Sequence, residues 1–231
     1  MSPSGFDGHG RVDDMPLTFA GNLDRPAVTA AVDQLTDLVG SREVMDAWDL
    51  ESALPGMTVG GLARHLVSQP ECAVEFLTAT GPPDAPVLTL LGHYERVDWL
   101  LAPIDAPENI SIRDDFNQMA MAGHAESLEA LARARQQLPA AITGAGATTW
   151  VPWQDCALPT DDFLVVRLME IMVHADDLAC SVSVTTPAFS PEVVEPVLAL
   201  LAALAARRRG QDAVLRALSR AERAAGPVSA F

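Results

Sequence analysis

Three side chains with metal-ligating chemistry stand in two short apolar stretches of this 231-residue chain. In Arg167-Leu-Met-Glu-Ile-Met-Val-His-Ala-Asp-Asp-Leu-Ala179, Glu170 and His174 occupy a run that otherwise reads as a buried helix. Burying such groups costs free energy unless a proton, a partner or a metal compensates them. At about 100° per residue, Glu170 and His174 lie roughly 40° apart on a helix, and Asp177 returns to within about 20° of Glu170. The three form one stripe. Leu168, Ile171, Met172, Val173 and Leu178 fill much of the remaining circumference, which turns the stripe toward the interior of a bundle. The second stretch, Met57-Thr-Val-Gly-Gly-Leu-Ala-Arg-His-Leu-Val67, places His65 on the apolar side of a helix that Thr58 can cap. Two imidazoles and a carboxylate give three ligands for a divalent cation such as zinc and leave a fourth position for water or substrate, the pattern of a catalytic site.

The elements that must carry these groups are helices. Hydrophobic residues make up 49% of the chain and aromatics 5%, a composition that favours helix over sheet. Asp24 and Pro26 open a first helix expected to run to about Val44, and Thr58 opens a second, carrying His65, to about Thr78. Gly81-Pro-Pro-Asp-Ala-Pro86 breaks the pattern; Val87–Leu91 fits strand and helix equally, and Tyr94–Leu101 fits a short helix. Apolar spacing from Ser111 to Leu138 predicts one long helix, kinked at Gly123 and ending before Pro139. Ala140–Pro159 reads as loop, with Trp150 and Trp153 either packing it or covering a pocket. The fourth main helix starts near Thr160 or Asp161, both fair caps, and bears the ligand stripe. The expected fold is therefore mostly α, an antiparallel four-helix bundle over residues 21–184 with metal ligands on its second and fourth helices. Residues 1–20 read as a flexible tail. Residues 185–231 form a helical C-terminal extension, with one helix from Ser190 and Pro191 to Arg208 and another over Gln211–Ala224.

Net charge is −16 and every basic residue is arginine. That balance argues against nucleic acid, whose phosphates call for a positive footprint. Cys72, Cys156 and Cys180 are odd in number and lack CxxC spacing, so neither a disulfide framework nor a cysteine zinc site is indicated, and a reducing cytoplasm fits. The stretch Met1–Asp14 has no apolar core of the signal-peptide kind. The longest apolar run, Val197–Ala206, is about half the length a bilayer requires, so no membrane partner is expected. Its Ala/Leu face must be buried on the bundle or on a second subunit, which makes a homodimer a further expectation. Arg216 and Arg220, with Arg223 at helical spacing, are candidates for an anionic thiol cofactor or a substrate carboxylate. One of Arg207, Arg208 and Arg209 is a further candidate, although these three end a helix, where attraction to the negative end of its dipole is the simpler account. His93 and His124 read as surface or loop groups, and Asp176 as solvated.

Two of these stretches, Leu54-Pro-Gly-Met-Thr-Val-Gly-Gly-Leu-Ala-Arg-His-Leu66 and Arg167–Ala179, together with Ala213-Val-Leu-Arg-Ala-Leu-Ser-Arg-Ala-Glu-Arg223, resemble the mycothiol-dependent maleylpyruvate isomerase-like proteins. These are DinB-like metal-binding bundles of actinobacteria. The resemblance runs from about Leu23 to the C-terminus. It implies a metal triad of His65, Glu170 and His174, with Asp177 matching the acidic residue after the second histidine. It also implies that the metal activates mycothiol or another low-molecular-weight thiol for attack on a small electrophile. Asp177 would then orient a ligand imidazole or handle protons. The helical tail departs from the α/β portion of the better-known isomerases, so the resemblance speaks to chemistry more than to maleylpyruvate as substrate. Isomerisation and S-transfer both use such a site; a binding protein without turnover and a metal-assisted hydrolase are the alternatives.

Overall fold

The computed structural model describes residues 17–96 and 105–231. Among them the elements in chain order are α1 (Arg25–Val39), α2 (Arg42–Asp46), α3 (Val59–Thr78), α4 (Leu90–Tyr94), α5 (Pro107–Ala120), α6 (His124–Gly144), β1 (Thr148–Val151), β2 (Cys156–Pro159), α7 (Thr160–Ser181), α8 (Pro191–Arg209) and α9 (Gln211–Ser219). The architecture is mostly α. Helix α3 packs on α6 and α7, and α1 closes onto the same two, so these four helices surround one apolar core. Helix α5 covers α3, and α8 lies against α7 and α1.

Local chemistry explains most of the boundaries. Asp24 caps α1 by accepting from the Ala27 N–H at 3.2 Å, with Pro26 in the first turn. The first helix stops short of the expected Val44: it ends at Val39, and Ser41 caps a separate short helix through the Val44 N–H. The long helix expected over Ser111–Leu138 is two helices. Gly123, at φ +93°, adopts a conformation that side chains disfavour, and the chain turns there instead of kinking. Nor does the second piece end before Pro139. Pro139 lies on the exposed face of α6, inside a helix that continues to Gly144.

The segment expected as loop after Ala140 holds that helix end and an antiparallel hairpin, with Thr149 opposite Leu158 and Trp150 opposite Ala157. Val87 adds an isolated parallel bridge to Ala157, which settles it as extended, whereas Leu90–Tyr94 is helical. The expected continuation from Tyr94 to Leu101 lies largely outside the described residues, as does Met1–Asp14 of the tail. The last helix ends at Ser219, short of Ala224, and a single tight turn covers Ala221–Arg223. No helix of the described residues is long and apolar enough to cross a membrane.

The start of α7, which bears the ligand stripe, is fixed from outside the helix. Neither Thr160 nor Asp161 caps it; Pro159 precedes the first turn and Thr160 donates to the Gly146 carbonyl at 2.8 Å. Asp161 accepts from the Gly21 N–H and from Arg25 Nε, both at 2.7 Å. Asp162, wholly buried, accepts from the Phe19 N–H at 2.6 Å and from the Thr18 hydroxyl at 2.9 Å. The last residues of the expected tail are thereby tied to the helix that carries the site. Replacing Asp162 with alanine orphans those donors and is expected to cost about 1–3 kcal/mol. Asp162→Asn, which keeps an acceptor for Phe19, is expected to cost less, and urea unfolding midpoints of the two variants check the order.

Candidate metal centre

Helix α3 is pressed into place by its first turn. Thr58 caps it, accepting from the Gly61 N–H at 2.9 Å, while its own N–H and hydroxyl donate to Asn117 Oδ1 of α5. Gly60 and Gly61 permit that approach: a Cβ on Gly60 would sit 2.5 Å from the Trp48 ring, and one on Gly61 would collide with Asn117. Trp48 is anchored in turn by donating Nε1–H to the Ala120 carbonyl at 3.1 Å. Two turns into α3 stands His65. Its imidazole stacks on Phe116 of α5, with centroids 4.2 Å apart and planes 13° from parallel. Its carbonyl accepts from the Ser68 hydroxyl at 2.6 Å and from Gln69 Nε2 at 3.1 Å.

Glu170 and His174 reach the same place from α7. His65, Glu170 and His174 each offer a ligand atom, and the three atoms lie within 4.8 Å of one another. The rings of His65 and His174 are 4.3 Å apart. His174 Nε2 is 3.0 Å from Glu170 Oε2, and its Nδ1 is 3.2 Å from Asp177 Oδ2. The stripe inferred from helical spacing is thus present. Side-chain exposure is 13% for Glu170 and His174 and 25% for Asp177, so the cluster sits at the edge of the core and opens toward Asp177.

Electrostatics separates the two histidines. Burial, reinforced by the charge on His174, lowers the His65 pKa to about 3, so this imidazole is neutral and keeps a lone pair for a ligand. Burial also opposes charge on His174, but the hydrogen bonds it donates to Asp177 and Glu170 outweigh it and raise its pKa to about 9. Glu170 experiences the same burial penalty and is nevertheless held near 2, because His174 hydrogen-bonds it and Arg167 adds positive charge. A neutral imidazole, a carboxylate and a second imidazole that needs only to lose a proton suit a borderline divalent cation. An Asp177–His174 contact on the far ring nitrogen is the arrangement that orients a metal-ligating histidine. The residues fit the ion.

The other assigned residues lie elsewhere. Arg216 is exposed on α9 and pairs with Asp212 at 3.1 Å, and Arg220 is exposed at the end of that helix; no described contact brings either to the triad. Arg207, one of the other C-terminal arginines, turns inward to the Leu91 carbonyl at 2.9 Å and to Glu95 at 3.1 Å. His93 is not a surface group: it is buried, with Nδ1 2.6 Å from Gln154 Oε1, because the hairpin turn folds over α4. His124 sets an edge against Trp48 and lies 2.7 Å from the Val39 carbonyl. Asp176 is exposed, accepting from the Thr186 hydroxyl. Burial raises the thiol pKa of Cys72 and Cys156, whereas Cys180 is exposed. Phe116 and Gln69, which hold His65, carried no sequence signal beyond helical spacing. Arg167 did carry one, since it falls within about 20° of His174 on the stripe.

No curated protein and no solved structure matches the chain. A family model does, the mycothiol maleylpyruvate isomerase N-terminal domain, over residues 28–179. That span holds all three triad residues and Asp177 on the helices that position them, and by this match the chain belongs to the mycothiol maleylpyruvate isomerase N-terminal domain family.

Proposed function

We propose that this protein is a metal-dependent enzyme built on a DinB-like four-helix bundle of α1, α3, α6 and α7, and that it uses mycothiol or a similar small thiol to isomerise, or transfer sulfur to, a small electrophile. The observation that carries the reading is the convergence of His65, Glu170 and His174 within 4.8 Å, inside the region that matches the family. A bound divalent cation, zinc in this reading, supplies Lewis acidity that favours thiolate over thiol at neutral pH.

The protein's own groups prepare that chemistry. Phe116 fixes the His65 ring and burial keeps it unprotonated. Glu170 contributes the negative charge. Asp177 holds the Nδ1 side of His174, so that Nε2 faces the triad, and its partial exposure gives a proton a route to solvent. Addition of the thiolate to a conjugated cis alkene, rotation and elimination constitute isomerisation; retention of the new carbon–sulfur bond, with a proton taken up at the adjacent carbon or a halide expelled from the substituted one, constitutes transfer. The half-buried Cys72 and the buried Cys156, their thiol pKa values raised, are kept as thiols, which suits a nucleophile brought in from solution, and a reducing cytoplasm would keep that nucleophile available.

The zinc-loaded protein, given a small thiol and a panel of activated alkenes and halides, is expected to consume thiol or isomerise alkene in a manner that needs both metal and thiol. Turnover of ester or amide substrates without thiol would replace this reading with hydrolysis. Stoichiometric binding with neither activity would replace it with a binding protein.

A further inference from the structure

The C-terminal end of the chain has the opposite charge from the rest. Residues 207–223 hold six of the 15 arginines and two acids, a charge of +4 in a chain whose other residues carry −20. On α9, within that segment, the apolar stripe is only half covered. Val214 is buried, whereas Leu215 and Leu218, roughly 60° apart on one side of the helix, are 61% and 73% exposed. Beside them a cleft of about 260 Å³ is lined by Asp212, Leu215, Arg216, Ser219 and Arg223. Arg216 shares its charge with Asp212 at 3.1 Å, but Arg220 and Arg223 are exposed and have no ion pair among the described residues. Helix α8, by contrast, buries Val193, Val197, Leu200 and Leu204 where it packs on α7 and α1.

Two open leucines in a basic setting match a surface that is acidic and also offers apolar contact. The chain has one. Helix α2 and the turn after it carry Glu43, Asp46, Asp49 and Glu51, all exposed, against the single cation Arg42, which Asp46 already engages at 3.1 Å. Met45 and Leu50 stand exposed among these acids. Trp48, between them, donates to the Ala120 carbonyl, which brings Met121, 77% exposed, to the same corner of the bundle. An anionic lipid surface would also attract the arginines, but it would repel the −20 on the remaining residues. The acidic corner of another copy attracts them at short range and supplies the apolar contact as well.

We propose that α9 docks on the α2 corner of a second copy of this chain, with Leu215 and Leu218 against Met45, Leu50 and Met121, and Arg220 and Arg223 against Asp46 and Asp49. Because the two surfaces differ, a two-fold pair makes the contact twice, each chain giving its α9 to the other.

Sedimentation velocity of the full chain over about 1 to 100 μM tests this, and a monomer–dimer equilibrium is expected. Arg220→Glu with Arg223→Glu in one variant, and Asp46→Arg with Asp49→Arg in another, are each expected to weaken self-association by about tenfold or more. An equimolar mixture of the two variants is expected to restore it. There the reversed α9 meets the reversed corner, and the unreversed pair meets as in the parent. All four positions are exposed, and recovery in the mixture cannot come from unfolded chains. A parent that stays monomeric throughout, association that survives both reversals, or a mixture that stays monomeric would overturn the proposal. A monomeric parent that sediments with phosphatidylserine-containing vesicles would replace the second copy with a lipid surface.

Discussion

Alanine at His65, Glu170 or His174 is expected to strip the protein of metal while leaving it folded. The parent should carry about one divalent ion per chain. Even loss of a partner that only orients a ligand typically costs about 10- to 100-fold in affinity, and loss of a ligand costs more. Each variant is therefore expected to lose its ion on dialysis against a mild chelator that the parent survives. The fold should tolerate the changes, because the three side chains are only partly buried and the apolar core of α1, α3, α6 and α7 does not depend on them. Asp177→Asn provides the graded control. Asparagine still accepts from His174 Nδ1 but brings no charge, so affinity should fall by about 10- to 100-fold without vanishing. Elemental analysis of the dialysed proteins decides the matter, and full metal in all three alanine variants would remove the triad as the site.

The candidate site was legible in the sequence as a cluster because its signal is local. Glu170, His174 and Asp177 share one helix, so their mutual arrangement follows from a fixed rotation per residue, and His65 stands out as a polar group on an apolar helical face. Thr58 and Thr78 mark the extent of α3 because a cap at one end and the Gly/Pro-rich stretch after the other are both written in neighbouring residues. Nothing local says which side chains pack around Arg167. Its partners from elsewhere are Gln69 of α3 and Trp153 of the hairpin turn, beside Phe163 of its own helix. His93 was misjudged for the same reason, since Gln154 comes from 61 residues away.

The fold shows the same division. Gly123 was visible as an interruption, but whether a glycine bends a helix or ends it depends on its φ, and a positive value ends it. Pro139 invited a stop that the structure does not make, because the packing of α6 against α3 and α1 carries the helix through it. The two hairpin strands have four residues each, too few for alternation to register, and their pairing with Val87 links segments 70 residues apart in the chain. Asp161 reads from the sequence as a fair cap, and nothing local marks Asp162. Their partners, Thr18, Phe19, Gly21 and Arg25, lie more than 130 residues upstream.

Metal affinity is expected to rise steeply with pH, and the slope identifies which histidine carries the proton. Before metal binds, His65 is neutral and Glu170 ionised across the range from pH 5 to 8, so neither exchanges a proton with the ion. His174, raised from 6.5 to about 9 by Asp177 and Glu170 against the effect of burial, is protonated there and must deprotonate to bind. Affinity should therefore increase by about tenfold per pH unit up to pH 9, or roughly 100-fold between pH 6 and 8, with about one proton released per ion. A histidine left at its ordinary value would give only about a fourfold rise over that interval. The stability of the metal-free protein runs the other way. A raised His174 stabilises the fold fully below pH 6.5, and that contribution disappears as pH climbs through 9. The depressed His65 destabilises the fold as pH falls below 6.5, so the metal-free protein should be most stable near that value. Competition with a chelator at pH 6, 7 and 8, with thermal melts of metal-free protein over the same range, measures both trends. A rise in affinity below about tenfold would mean that the Glu170–His174–Asp177 contacts do not hold a proton, and Asp177→Asn should flatten the slope by returning His174 toward its ordinary value.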